Sequence, residues 1–106
     1  MSALHTRHCR EQTDRLSEEQ ATALLGELSE WQIADGGLHK QYKFKNYYAT
    51  MAFVNLVAWV AHRENHHPDM QVSFNKCKVS YSTHSVGGLS ENDFICAARV
   101  DAALSE

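Results

Sequence analysis

The chain has a single proline and five glycines among 106 residues, too few for a collagen-like or low-complexity polymer. A surplus of positive charge is also missing. Ten Lys and Arg stand against 13 Asp and Glu, a formal net charge of -3, so a protein built to coat nucleic acid or an anionic membrane is excluded. Cysteine is sparse: Cys9, Cys77 and Cys96 share no C-x-x-C spacing. Neither a disulfide framework nor a thiol zinc knuckle is suggested, and free thiols in a reducing cytoplasm are expected. The longest apolar run, Ala49 to Ala61, is interrupted by Thr50 and Asn55 and falls short of the ~20 residues that span a bilayer. The opening string MSALHTRHCREQTDR lacks the apolar core of a secretory signal, so no export and no membrane association are expected.

What is present is an ordinary globular composition, 43% hydrophobic and 22% charged, sized for one domain. Residues 1–15 are polar without periodicity and read as a flexible leader to a single domain over 16–106. The leader's His5, His8 and Cys9 lack the paired spacing of zinc modules and are given no function.

Ser17 with Gln20 forms a capping box ahead of a helix carrying Ala21, Leu24, Leu25 and Leu28. Trp31 and Ile33 lead into Asp35-Gly36-Gly37, after which Leu38, Tyr42 and Phe44 alternate with polar residues, predicting a hairpin that turns at the glycines. Asn46 can cap a second helix, Tyr47 to about Asn65, apolar around most of its circumference, which points to an oligomer covering its outer side. Pro68 ends that helix near His66. A turn at Asn75-Lys76 would pair Met70 with Tyr81, Val72 with Val79 and Phe74 with Cys77 on one apolar face. Ser90 with Asp93 opens a third helix. The predicted class is α+β: a four-stranded antiparallel sheet with three helices on one face, in the order helix, two strands, helix, two strands, helix.

Continuing that register sets His67 opposite His84, with His66 adjoining and His62 one helical turn earlier, so four of the seven histidines are expected to converge. Imidazoles can donate and accept protons near neutral pH. They can also bind zinc, although Glu64 is misplaced for an H-E-x-x-H string, or form a merely polar sheet edge. Asp93 reads equally as a helix cap, and Trp31 as a core residue.

The string His66-His67-Pro68, the aromatic Phe74, Ser82-Thr83-His84 and Gly88-Leu89-Ser90-Glu91 with Asp93 resemble the pterin-4a-carbinolamine dehydratases. Phe44-Lys45-Asn46-Tyr47, Ala52-Phe53 and Trp31 extend the resemblance over roughly Leu16 to Ala103. The resemblance implies dehydration of 4a-hydroxytetrahydrobiopterin to quinonoid dihydropterin, recycling the pterin of an aromatic amino-acid hydroxylase. It implies His66, His67, His84 and Asp93 as the catalytic set, with His66 and His84 transferring protons and His67 holding the pterin. His62, Ser82, Thr83 and Trp31 are expected at the substrate. Many family members have Glu where this chain has His62. No metal or bound cofactor is implied, since the pterin is the substrate; a homodimer or homotetramer is implied, with a hydroxylase as the protein partner. The rival expectation is a non-catalytic oligomeric partner of a hydroxylase or transcription regulator.

Overall fold

Asp35 and Gly36 both take positive φ, 52° and 73°, the geometry of a tight two-residue hairpin turn whose twist matches that of its strands. The computed structural model, which describes residues 3–105, thereby joins β1 (Gln32–Ala34) to β2 (Gly37–Lys43). Helix α1 (Glu18–Leu25) precedes them and opens on the expected capping box, Ser17 N–H to Gln20 Oε1 at 2.9 Å and Gln20 N–H to Ser17 Oγ at 3.1 Å. Helix α2 (Tyr47–Glu64) starts where the Asn46 side chain accepts from the Ala49 N–H at 2.8 Å. Strands β3 (Asp69–Val72) and β4 (Lys76–Tyr81) and helix α3 (Glu91–Leu104) complete the chain.

The four strands form one antiparallel sheet in the order β1-β2-β4-β3. Leu38, Tyr42, Cys77, Val79 and Tyr81 turn their side chains inward and are buried with Phe53, Val57 and Val60 of α2 and Phe94, Ile95 and Val100 of α3. The alternate residues Gln41, Lys43, Lys78 and Ser80 lie on the polar face. The α+β class with its helices on one side of the sheet is as the alternation predicts.

The second hairpin departs from the expected register by two residues. Met70 pairs with Val79 and Val72 with Cys77, and the Ser73 N–H donates to the Lys76 carbonyl at 2.9 Å. The turn is therefore Phe74-Asn75. Thr50 Oγ1 donates to the Phe74 carbonyl at 3.0 Å and the Phe44 N–H to the Asn75 carbonyl at 2.8 Å, tying this turn to its neighbours. A slip of two preserves which face each side chain occupies, so the apolar pattern cannot distinguish the two registers.

Residues 3–15 lie against the domain, in contrast to the expected flexible leader. Leu4 is buried, and the Cys9 N–H donates to Glu64 Oε1 at 2.7 Å. Arg10 and Asn92 exchange hydrogen bonds of 3.0 and 2.8 Å, and Arg7 pairs with Glu91 at 2.6 Å. One physical reason is the buried Glu64 carboxylate, which the Cys9 N–H satisfies together with His8 at 3.1 Å and Arg99 at 3.5 Å. Residues 1, 2 and 106, the outermost of the expected leader and domain, lie outside the described residues. No helix among the described residues is long and apolar enough to cross a membrane.

Candidate active site

Asn65 ends α2 in the left-handed region, φ 52°, which Asn tolerates better than most residues. The chain turns sharply there, and the His66 N–H returns to the Ala61 carbonyl at 3.1 Å. This brings the His66 ring over Tyr81, nearly parallel at 10° and 6.0 Å between centroids. Its Nε2 lies 2.6 Å from Asp93 Oδ1.

Asp93 is fully buried in the first turn of α3, where the helix dipole favours a carboxylate. Its other oxygen, Oδ2, accepts from the Thr83 hydroxyl at 2.9 Å and the Ser90 N–H at 3.0 Å. Thr83 Oγ1 in turn lies 2.7 Å from Ser90 Oγ. A carboxylate only accepts, so the one proton of Thr83 goes to Asp93 and the Ser90 hydroxyl donates to Thr83. By the same rule His66 carries a proton on Nε2, so that in the neutral ring Nδ1 is the nitrogen with the lone pair. Asp93 is thus both the cap expected from sequence and the partner of a histidine.

Thr83 is fixed by its backbone as well, pairing with Gly88 through a 2.8 Å bond from its N–H to the Gly88 carbonyl. Between them His84–Val86 makes a 3-10 turn that exposes His84. The expected cross-strand pairing of His67 with His84 is not formed, because β3 begins at Asp69 and β4 ends at Tyr81 in the shifted register. Both histidines nevertheless leave the sheet at the same end, each directly following in sequence a residue hydrogen-bonded to Asp93: His67 after His66, His84 after Thr83. His67 and His62 are exposed, and Ser82 is half-buried between Tyr81 and Thr83. Among the described residues no three His, Cys, Asp or Glu side chains form a metal-binding group.

Trp31 is corrected from a substrate contact to a core residue. It is only 5% exposed, its Nε1 donates to Asp101 Oδ2 at 2.8 Å, and Tyr81 lies against it, with that same Tyr81 ring stacked on His66. Two residues of the site escape sequence reasoning. Tyr81 is hidden within a strand's apolar alternation, and the Ser90 side chain within a capping signal; Thr83 was expected to offer its backbone to a substrate, whereas its N–H and carbonyl are taken by Gly88 and Val86 and its hydroxyl is on Asp93.

A buried carboxylate holding one imidazole, at the sheet end where two more imidazoles emerge, is suited to moving protons. Residues 14–103 match the model of the family described as pterin 4 alpha carbinolamine dehydratase. The chain belongs to the pterin 4 alpha carbinolamine dehydratase family. A provisionally named pterin-4-alpha-carbinolamine dehydratase of Nitrosomonas eutropha is 60% identical over 90 residues, covering 84% of this chain and 80% of its own. One of Stenotrophomonas maltophilia is 53% identical over 94 residues, covering 87% and 81%. Among solved structures, a transcriptional coactivator/pterin dehydratase of Brucella melitensis superposes with a TM-score of 0.80 at 30% identity, covering 84% of this chain and 97% of that one. A pterin dehydratase-like RuBisCO assembly factor of the alpha-carboxysome gives 0.56 at 26% identity, covering 68% and 83%. Pterin dehydratase family membership therefore extends over nearly all of the described fold, site included.

Proposed function

We propose that this chain dehydrates a 4a-hydroxytetrahydropterin to the quinonoid dihydropterin, using histidines as acid and base and no bound metal or cofactor. The observation that carries the proposal is the His66–Asp93 pair, 2.6 Å apart, in a chain of the pterin dehydratase family. In the reaction the C4a–O bond breaks and the hydroxyl leaves as water with a proton from the acid. The N5–H bond gives its proton to the base, and its electrons form the C4a=N5 double bond. The free Nδ1 of His66 is the base, and Asp93 offsets the positive charge that the ring gains. His84, exposed on its 3-10 turn, is the acid, and His67 holds the pterin. His62 lines the approach and Ser82 offers backbone groups to the ring, while Thr83, whose N–H and carbonyl are taken by Gly88 and Val86, holds Asp93 through its hydroxyl.

After a separate two-electron reduction to the tetrahydropterin, the product would return to an aromatic amino-acid hydroxylase in the cytoplasm. Self-association of the chain to a dimer or tetramer fits the outer side of α2, where Tyr48 and Trp59 are 82% and 57% exposed. That same surface favours a second reading, a binding role like those named for the coactivator and the RuBisCO assembly factor. The two are separated by the dehydration rate of enzymically generated 4a-hydroxytetrahydropterin with wild type, His66→Gln and His84→Ala. Losses of about 10² to 10⁴ in the folded variants are expected. Variants as fast as wild type would remove the histidines from the mechanism, and an inactive wild type would favour the binding role.

A further inference from the structure

The N-terminal segment brings Cys9 to α3, where its Sγ lies 3.5 Å from Cys96 Sγ and 3.6 Å from the Asn92 carbonyl. Cys9 is held on both sides, its own N–H on Glu64 and the neighbouring Arg10 on Asn92. The two sulfurs therefore face each other as a fixed pair, although 87 positions separate them in the chain. Cys9 is partly exposed and Cys96 is buried. Cys96 lies one helical turn beyond Asp93, and its thiol donates to the His66 carbonyl at 3.8 Å.

We propose that Cys9 and Cys96 are a dithiol site that a low-molecular-weight disulfide such as glutathione disulfide oxidises to a reversible intramolecular disulfide, stapling the N-terminal segment to α3 beside His66. Cys9, the sulfur that solvent reaches, attacks the reagent first. The reagent's S–S bond breaks, one glutathione leaves as thiolate and takes up the Cys9 proton, and a mixed disulfide remains on Cys9. Cys96 then attacks the Cys9 sulfur and expels the second glutathione, which takes the Cys96 proton. The two cysteines together lose two electrons, and the reagent gains them as two glutathione thiols. The thiol contact with Cys9 and burial push the Cys96 thiol well above its ordinary range, so Cys96 is not the sulfur that attacks the reagent first. Closing the bond removes the S–H donor from the His66 carbonyl, so the site's backbone feels the redox state of this pair. The proposal stands independently of the reaction assigned to His66.

The test treats native protein with excess glutathione disulfide and reads intact mass and linked peptides. Wild type is expected to lose the mass of two hydrogen atoms, to yield a Cys9–Cys96 peptide, to retain the free Cys77 thiol and to return to its starting mass with dithiothreitol. Cys96→Ala is expected to stop at one glutathione on Cys9, and Cys9→Ser to form no disulfide. Wild type that stays fully reduced, stops at the glutathione adduct or links through Cys77 overturns the proposal.

Discussion

Replacing Asp93 by Asn keeps the side chain's shape and turns one acceptor into a donor. At the buried end, the Thr83 hydroxyl at 2.9 Å and the Ser90 N–H at 3.0 Å both point at Oδ2. A backbone N–H cannot reverse, so the Asn oxygen must stay there and its NH2 must face His66 Nε2. His66 keeps that contact only by accepting, so its proton moves to Nδ1 and the free nitrogen changes from base to donor. A positioned base contributes about 10² to 10⁴ in rate, and Asp93→Asn is expected to lose that much. Stability should fall by only ~1 to 2 kcal/mol, since the number of hydrogen bonds is conserved and only their charge assistance is lost. The assay pairs the dehydration rate with NMR of the His66 ring nitrogens, which reports the tautomer directly. A variant with the wild-type rate, or one whose His66 remains protonated on Nε2, would refute the role given to Asp93 as the residue that positions the base.

Thr83→Val removes a hydrogen bond to a buried carboxylate, about 2 kcal/mol, and should lower the melting temperature by about 10 °C; an unchanged melting curve would show that Asp93 does not need this donor. Burial raises the Glu64 carboxyl, but the Cys9 amide, His8 and Arg99 outweigh it and hold the group below its ordinary 4.5. A lowered folded value means that its stabilisation is complete above 4.5 and is lost as pH falls through that lowered value. Hydrogen exchange at residues 4–10 should accelerate there ahead of global unfolding, and a flat profile would contradict the contact. Gly36→Ala puts a side chain at φ 73° with no atom within 4 Å of the new Cβ, so its cost is conformational, about 1 to 2 kcal/mol. A urea midpoint equal to wild type would speak against the positive-φ turn.

The alternation of Leu38, Tyr42, Val79 and Tyr81 made the sheet's faces legible because burial has a period of two along a strand. The same pattern left the hairpin register open, because a two-residue slip changes no face. Asp93 was visible through its spacing from Ser90, since capping is local. The Thr83 hydroxyl's bond to Asp93, the stacking of Tyr81 on His66 and the contact of Cys9 with Cys96 were not visible, because each depends on which distant elements pack together. The docking of residues 3–15 was hidden for a similar reason. Its partners are Glu64 at the end of α2 and Glu91 and Asn92 at the start of α3, and nothing in the polar string before Leu16 has a period that would reveal them.

The central claim is tested most directly by following enzymically generated 4a-hydroxytetrahydropterin with and without the wild-type protein, against the spontaneous rate. A dehydratase of the kind proposed accelerates loss of the 4a-hydroxyl well above that background, in proportion to protein concentration. A rate equal to background at every concentration would contradict it, leaving a pterin dehydratase fold whose histidines serve another purpose.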